Sequence, residues 1–440
     1  MDLDALTPGQ AIGRITGLAT GSGEAGEIAF ADGRVVDAAA TSPLDLTVDA
    51  TGWIALPPLA DLHAHLDKGY TWTAFGRPEG SLDDAIACWM QHGDEHSYAA
   101  IKAAGRRHLT AALHAGVTAV RSHTNYHLGP DPLRGVRALV ELREEFRGLV
   151  DVQVVAMHGH EQPDALLRDA VDAGIDLVGG VPHLTPDPLR ELDRAASLAE
   201  SAGIGMDLHT DETLDPHSLD LADLAARTKH WPAGVVRSAG HCVSLSMQEP
   251  AALARVLDAV AEAGVSIVTN PLTNLYLQGW QHPVATPRGI PPLRAILDAG
   301  IALAAGGDNV QDPFNPLGNA DMVDVAAELV IAGHLTPTQA WDVASHGGRA
   351  VFGLPPARGR VGDVADIVLV RAAHTAEALA ERAPDRIVIR AGRVVAIRRR
   401  TLSSVLDAAG PHASGCLDEL DELDAPLSLP TPTPSEGAFR

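Results

Sequence analysis

Short apolar runs alternate with longer stretches rich in alanine, leucine, arginine and glutamate through the middle of the chain. The apolar runs have the length of buried strands, and the stretches between them have the composition of amphipathic helices. Strands that alternate with helices in this way are typical of parallel β/α architectures. Eight such units predict an α/β fold, a (β/α)8 TIM barrel. The predicted strands begin at Ala55, Val117, Val150, Ile175, Ile204, Val235, Val265 and Ile301.

The two ends of the chain follow a different pattern, in which apolar and polar residues alternate as in half-buried strands. A hairpin turn is indicated at Asp32-Gly33 near the start, and a second turn at Ala391-Gly392 near the end. We therefore expect a small β-sandwich domain formed from both chain ends. The predicted boundaries are 1–54 and 356–400 for the sandwich, 55–355 for the barrel and 401–440 for a tail.

The segment beyond Arg400 has repeated acidic triplets followed by Pro-Thr repeats. Such a composition cannot bury enough apolar surface to build a core, so we expect a mobile tail. A short acidic docking helix over 417–423 is the alternative interpretation of the same segment.

Composition and charge exclude several classes of protein. The net charge is −24 and the 33 basic residues form no cluster, which argues against a nucleic-acid partner. No apolar run approaches the roughly 20 residues of a membrane span. Cys88, Cys242 and Cys416 are odd in number and far apart, which argues against a disulfide scaffold. Asp2 and Asp4 stand where a secretory signal needs positive charge, so a cytoplasmic location is expected.

A polar residue follows each predicted strand of the barrel. The carboxyl ends of barrel strands meet at one mouth, where TIM-barrel enzymes place their active sites. This arrangement predicts a functional site at the mouth of the barrel. The residues at the strand ends are His63 and His65, His123, His158 and His160, His183, His209, His241, Asn270 and Asp308.

The pair His63-Ala64-His65 ends the first strand and indicates a metal site. Residues i and i+2 of an extended chain point the same way, so both imidazoles can reach one ion. His209 and Asp308, at the ends of strands five and eight, would complete the site. Three neutral imidazoles and one aspartate suit zinc or ferrous iron and leave a position for water. We expect one divalent metal ion, Zn or Fe, as the cofactor.

Six sequence motifs carry a resemblance to a known family. They resemble the strand-end motifs of the amidohydrolase superfamily, and as a set they are similar to its cytosine deaminase branch. The resemblance covers roughly residues 12–398 and implies a metal-dependent barrel with a β-sandwich built from both chain ends. The motifs are LPPLADLHAHLDK, RSHTN, DLHTDET, AGHCVSL, NPLTNLYLQG and GGDNVQDPFNPLGNADM.

The resemblance also implies how the metal site is built. The ion would be bound by the same four side chains that the strand-end pattern indicates: His63, His65, His209 and Asp308. Binuclear relatives carry a carboxylated lysine at the end of strand four. This chain has His183 near that end and none of its three lysines there, so a single metal ion is expected.

Three residues are assigned catalytic roles by the resemblance. Asp308 would take a proton from the metal-activated water as the resulting hydroxide attacks an electron-poor ring carbon. Glu212, three residues after His209, would protonate a ring nitrogen and later the leaving amine. His241 would orient the water or stabilise the developing oxyanion.

Four further residues are expected to bind the substrate. Lys68 would supply a charge on the substrate side, as a lysine at this place does in relatives that act on N-substituted triazines. Asn309 stands where the cytosine deaminases have a carboxylate, and His160 lies in the loop that replaces their glutamine segment. Phe314 would stack on a planar ring. These departures predict that cytosine itself is a poor substrate.

The function expected from the sequence is hydrolytic deamination of a small nitrogen heterocycle of the aminopyrimidine, triazine or pterin class. Hydrolysis of a cyclic amide or an N-alkyl amide at the same site is the first alternative. A non-catalytic scaffold on the same fold is the second, and metal analysis separates it from the enzymes. The expected partner is the small-molecule substrate, and assembly into a homo-oligomer remains open.

Overall fold

Three β-sheets carry the fold in the computed structural model, which describes residues 1–19, 25–40, 46–75, 80–127, 129–401 and 403. One sheet is the eight-stranded parallel sheet of the barrel, and the other two have four strands each. The strands are β1 Arg14–Ala19, β2 Ala25–Ala31, β3 Arg34–Val36, β4 Thr47–Asp49, β5 Ile54–Leu56, β6 Leu59–Ala64, β7 Val117–Asn125, β8 Asp151–Met157, β9 Leu177–Gly179, β10 Gly205–Thr210, β11 Arg237–His241, β12 Ser266–Thr269, β13 Leu303–Ala305, β14 Ile367–Val370, β15 Arg386–Arg390 and β16 Arg393–Arg398.

Strands β6 to β13 are hydrogen-bonded in chain order and all run parallel. The sheet closes where β6 meets the segment after β13. The N–H of Asp308 donates to the carbonyl of His63 at 2.7 Å, and the N–H of His65 donates to the carbonyl of Asp308 at 3.1 Å. The predicted TIM barrel is confirmed, and the residues that close it are three of the predicted metal ligands.

The apolar run that begins at Ala55 is divided between two sheets, so the prediction of a single strand there is wrong. β5 pairs with β14 outside the barrel, whereas β6 enters the barrel beside β7. Pro57 and Pro58 separate the two strands. Neither proline has an N–H to donate to a sheet, so the ladder is interrupted at that point.

Helices follow the barrel strands and pack on the outside of the barrel. Leu109, Val136, Leu192 and Leu224, from four different helices, are buried in one core with the strands. Among the described residues no helix is both long and apolar enough to cross a bilayer. The helices are α1 Trp72–Phe75, α2 Leu82–His92, α3 Tyr98–His114, α4 Arg134–Glu145, α5 Asp164–Asp172, α6 Pro188–Ala202, α7 Asp220–Thr228, α8 Pro250–Ala263, α9 Pro271–Leu277, α10 Leu293–Asp298, α11 Met322–Ile331, α12 Pro337–Asp342, α13 Gly348–Phe352 and α14 Thr375–Ala380.

The two small sheets come from the two ends of the chain, as predicted. One has the order β3-β2-β1-β4, and the other has the order β16-β15-β14-β5. They share a hydrophobic core in which Ile15, Phe30 and Trp53 from the N-terminal segment lie with Ile367 and Ile389 from the C-terminal segment. The two chain ends therefore depend on each other for burial of their apolar faces.

Both predicted turns in these sheets are present. Asp32-Gly33 joins β2 to β3, with φ values of 49° and 72°. Ala391-Gly392 joins β15 to β16, with φ values of 48° and 75°. Two successive positive φ angles give a turn whose twist matches that of the flanking strands.

Residues Met1–Arg398 form one compact unit, without a division between the barrel and the terminal sheets. The domain boundaries at 54, 355 and 400 therefore remain a proposal, and the first of them falls inside β5. The predicted tail and the alternative docking helix over 417–423 lie outside the described residues.

A buried ion pair lies inside the barrel beneath its mouth. Nη1 of Arg121 donates to Oδ2 of Asp207 at 2.5 Å and to the hydroxyl of Ser238 at 2.9 Å. Burial by itself raises the pKa of Asp207, but Arg121 and the neighbouring His123 outweigh it and lower that pKa below the usual range. This layer is polar and hydrogen-bonded, and it forms the floor under the strand-end histidines.

Candidate active site

Three imidazoles meet at the mouth of the barrel. Nε2 of His209 lies 3.1 Å from Nε2 of His63 and 3.2 Å from Nε2 of His65, and all three rings are buried. Two nitrogens that bind one tetrahedral zinc ion at 2.0–2.1 Å are about 3.4 Å apart. The spacing of the three Nε2 atoms therefore fits a shared cation.

Asp308 adds a carboxylate to this cluster. Its Oδ1 lies 3.3 Å from Nε2 of His65 and 3.9 Å from Nε2 of His63, and its Oδ2 has no hydrogen-bond partner. Burial raises the pKa of Asp308. A buried carboxylate oxygen without a partner is unfavourable, and a bound cation would satisfy it. The donor set is therefore that of a divalent metal site.

Burial lowers the pKa of His63, His65 and His209 well below the ordinary value, and neighbouring positive groups lower it further. The three rings are therefore neutral at physiological pH. Neutral imidazole is the form that binds a metal ion, because one ring nitrogen then carries a free lone pair. The lowered pKa values and the spacing of the Nε2 atoms therefore both favour binding of a metal ion.

Two glycines form a slot for the ring of His63. A Cβ at Gly306 would lie 2.5 Å from Cβ of His63, and a Cβ at Gly240 would lie 2.8 Å from the His63 ring. Real Cβ atoms do not approach other atoms so closely. Glycine at both positions therefore allows the imidazole to lie against β11 and the segment after β13.

Replacing Gly306 by alanine should displace His63 and lower the affinity for metal by roughly 10- to 100-fold, the range seen when a supporting contact of a ligand is lost. The measurement is metal affinity by competition with a chelator. Gly159→Ala is the matched control, because the nearest atom to its added Cβ would be Cδ of Gln162 at 3.9 Å. Equal metal affinity in the two variants would contradict the slot around His63.

Glu212 and His241 lie next to the imidazole cluster and are held by one asparagine. Nδ2 of Asn274 donates to Oε1 of Glu212 at 3.0 Å and lies 3.0 Å from Nδ1 of His241. Oε1 of Glu212 is 3.3 Å from Nδ1 of His241. Burial raises the pKa of Glu212 well above its usual value and lowers that of His241 to about 4. A carboxylic acid that holds its proton near neutral pH is suited to general acid catalysis.

The backbone is strained where these side chains leave the strands. His241 and Asp308 have φ values of 69° and 61°, and Asp211 and Cys242 have φ values of 53° and 52°. Residues other than glycine adopt this left-handed conformation at a cost of order 1–3 kcal/mol and do so most often at functional sites. The strained residues lie at the ends of β10, β11 and β13, at the mouth of the barrel where the imidazole cluster also lies.

A cavity of about 170 Å³ opens from this cluster to the surface. Its polar lining is formed by His65, Lys68, Asn125, His209, Glu212, His241, Asp308 and Asn309. Its apolar lining is formed by Leu82, Ile86, Trp89, Met90, Met157, Val181, Leu184 and Phe314. A cavity with reactive groups at one end and apolar walls is typical of sites for small organic molecules.

Lys68 is a buried cation in the wall of this cavity. Its Nζ lies 3.2 Å from Nδ1 of His65, and 5.4 Å and 5.1 Å from the ring centres of Trp89 and Phe314. A cation bound at Nε2 of His65 would place the ring proton on Nδ1, which faces the ammonium. Lys68 also lines the cavity, where it can donate to a substrate.

The structure does not bring His160 to the cavity. Its side chain is 45% exposed, and its Nε2 lies 3.8 Å from Oε1 of Glu161. In the same loop after β8, the side chain of Gln162 accepts a hydrogen bond from the N–H of Gly159 at 3.1 Å. Met157 and Asn125 line the cavity in its place.

Trp89, Asn125 and Asn274 are functional candidates that the sequence alone did not identify. Trp89 is on α2, in a segment whose position over the barrel is not encoded in the strand pattern. Asn125 is two residues after His123 in the motif RSHTN, so the spacing along β7 could have indicated it. Asn274 is four residues after Asn270, one turn into α9.

The barrel, the terminal sheets and the histidine–aspartate cluster fit a metal-dependent hydrolase, and the chain belongs to the amidohydrolase family, whose model matches residues 76–396. Its membership and its relatives make it a hydrolase that acts on C–N bonds other than peptide bonds. A curated relative is the pterin deaminase of Rhizobium rhizogenes, 34% identical over 386 residues, which are 84% of this chain and 87% of the relative.

Two solved structures are similar to this chain. The 5-methylcytosine deaminase of Klebsiella pneumoniae, liganded with 5-fluorocytosine, superimposes with a TM-score of 0.80 at 24% identity, covering 90% of this chain and all of the other. The N-isopropylammelide isopropylaminohydrolase of Burkholderia multivorans has a TM-score of 0.73 at 28% identity, covering 88% and 98%. The predicted resemblance to the amidohydrolases is confirmed.

Proposed function

We propose that this chain hydrolyses the exocyclic C–N bond of a small nitrogen heterocycle and releases the amine as ammonia. The observation that carries the proposal is the convergence of the His63, His65 and His209 Nε2 atoms with Asp308, beside the buried side chain of Glu212. Hydrolytic deamination requires an activated water molecule and a proton donor, and a metal site beside a general acid supplies both. The pterin deaminase relative supports the same chemistry.

We propose one ion, Zn or Fe, bound by the four residues of that cluster. Among the described residues at the end of β9, no lysine is placed to bridge a second ion, because the three lysines of the chain are at 68, 102 and 229. The bound ion supplies water with a pKa lowered toward about 7. The side chains around the ion transfer the protons, stabilise the oxyanion and bind the substrate.

The side chains divide the proton transfers between them. Asp308 accepts a proton from the attacking water. Glu212 begins protonated and donates to a ring nitrogen as the tetrahedral centre forms. It then takes the proton of the new hydroxyl group and delivers it to the leaving amine, and the proton held by Asp308 restores Glu212 for the next turnover. His241 is neutral and is held by Asn274 at Nδ1, so its ring proton lies on Nε2, from which it stabilises the developing oxyanion by a hydrogen bond.

The walls of the cavity hold the ring. Phe314 is half-buried and presents a face on which a planar ring can stack. Lys68 donates to an electronegative group of the substrate, and Asn309 contacts the ring edge. An N-alkyl amine is the second candidate leaving group, because Leu82, Ile86 and Leu184 offer an apolar wall and a structural relative is named for removing an isopropylamine.

A substrate panel tests this proposal. The metal-loaded protein is incubated with pterin, aminotriazines, N-isopropylammelide, cyclic ureas and cytosine, and the products are identified by mass spectrometry together with assay of ammonia and isopropylamine. We expect deamination of a fused or substituted aminoheterocycle and little turnover of cytosine. Ring opening of a cyclic urea without release of an amine would contradict the proposed reaction. Efficient turnover of cytosine would contradict the expected substrate preference.

A further inference from the structure

Asp312 is a buried carboxylate that lies directly behind the wall of the cavity without lining it. Its Oδ2 accepts a hydrogen bond from Nδ2 of Asn309 at 2.8 Å. Its Oδ1 accepts from the backbone N–H of Phe314 at 2.9 Å and of Asn315 at 3.2 Å. One carboxylate therefore holds two residues of the cavity wall, Asn309 and Phe314.

These bonds determine which end of the Asn309 amide faces the substrate. An ionised carboxylate can only accept hydrogen bonds, so it must face the NH2 group of Asn309 and not the carbonyl. The backbone N–H of Asn309 donates to the hydroxyl of Thr273 at 3.4 Å, which holds the main chain of the same residue. With its NH2 group engaged, Asn309 offers its carbonyl oxygen as an uncharged acceptor.

We infer that Asp312 is a positioning residue that sets the polarity of Asn309, so that the enzyme prefers heterocycles that offer a ring N–H at that edge over those that offer a ring nitrogen lone pair there. This inference rests on the proposed function, because it specifies which aminoheterocycles the cavity accepts. A carboxylate at position 309 would also be an acceptor, but it would add a second negative charge beside Asp312. Asparagine keeps the acceptor and avoids this repulsion.

The geometry predicts that Asp312→Asn reverses the hydrogen-bonding polarity of the cavity wall and that adding Asn309→Asp restores it. In Asp312→Asn the side-chain oxygen is still needed by the N–H groups of Phe314 and Asn315, so the new NH2 group faces Asn309. The Asn309 amide must then turn its oxygen toward position 312 and present its NH2 group to the cavity. Adding Asn309→Asp exchanges the two groups and restores an acceptor in the cavity wall.

Two pteridines of the same shape provide the test. Pterin has a ring N–H beside a carbonyl, whereas 2,4-diaminopteridine has a ring nitrogen lone pair beside an amino group, so the polarity of that edge is reversed. Dissociation constants for both are measured on metal-loaded protein by fluorescence titration, alongside kcat/KM. Burial raises the pKa of Asp312 to about 7. The titrations are therefore run at about pH 7.5, where most of the Asp312 carboxylate is ionised and pterin keeps its ring N–H.

We expect Asp312→Asn to change the ratio of the two dissociation constants by about 10- to 100-fold, the effect of one mismatched buried polar group. The double variant Asn309→Asp/Asp312→Asn should return the ratio to within about threefold of wild type. Asn309→Ala leaves Asp312 in place and should abolish most of the difference between the two dissociation constants. This variant tests the inference even if Asp312→Asn does not fold. Metal content and melting temperature are measured for every variant.

Two results would overturn the inference, and they are distinguishable. If wild type binds the pteridines and the ratio is unchanged in Asp312→Asn and Asn309→Ala, Asp312 does not set the specificity while the proposed function stands. If wild type neither binds nor deaminates either pteridine, the proposed substrate class fails and the inference fails with it.

Discussion

Replacing His63 by alanine should remove metal and activity together. Loss of a residue that supports a ligand costs about 10- to 100-fold in metal affinity, so loss of the ligand itself should cost more than about 100-fold. The three Nε2 atoms are 3.1–3.2 Å apart around His209, and removal of one leaves an incomplete set of donors. Metal content by mass spectrometry and the rate of amine release are measured on the same preparation.

The matched control for this variant is His108→Ala. His108 is also a buried imidazole, and neither of its ring nitrogens has a hydrogen-bond partner, but it is on α3 and does not line the cavity. Its removal should leave a void without altering metal content. A fully metallated and active His63→Ala protein would refute the assignment of His63 as a ligand.

Replacing Glu212 by glutamine should lower the rate by roughly 10²- to 10⁴-fold while the metal stays bound. Glutamine keeps the shape of the side chain and its contact with Asn274, but it cannot donate and recover a proton. Pre-steady-state and steady-state rates are compared at equal metal occupancy. Glu191→Gln is the matched control, because Glu191 is also buried but pairs with Arg194 away from the cavity. A wild-type rate in Glu212→Gln would remove this residue from the mechanism.

The barrel could be predicted because its strands are short apolar runs between helices, and burial imposes that pattern directly. The metal cluster could be predicted for a related reason. His63 and His65 share one side of a strand, and parallel strands bring their ends to one mouth, so sequence order alone places His209 and Asp308 beside them. Both predictions depend on the periodicity of the backbone, which can be recognised in the sequence.

The lining of the cavity depends on loop geometry, which periodicity does not encode. His160 follows β8 just as the other histidines follow their strands, yet its side chain is exposed and does not line the cavity. Asp312 was missed for the same reason, since its contact with Asn309 arises in a loop. Pro57 and Pro58 divide the apolar run that begins at Ala55 between two sheets. The prediction of one strand there was wrong because apolar character alone does not show where a chain passes from one sheet to another.

The most direct test of the proposed activity follows oxygen from water into the product. The protein is stripped with a chelator, reloaded with zinc or ferrous iron, and incubated with the best aminoheterocycle in water labelled with heavy oxygen. We predict no reaction without metal, and full activity with one equivalent per chain. The product should contain one labelled oxygen at the carbon that lost its amine. Undiminished turnover by the stripped protein, or a deaminated product without the label, would contradict metal-dependent hydrolytic deamination.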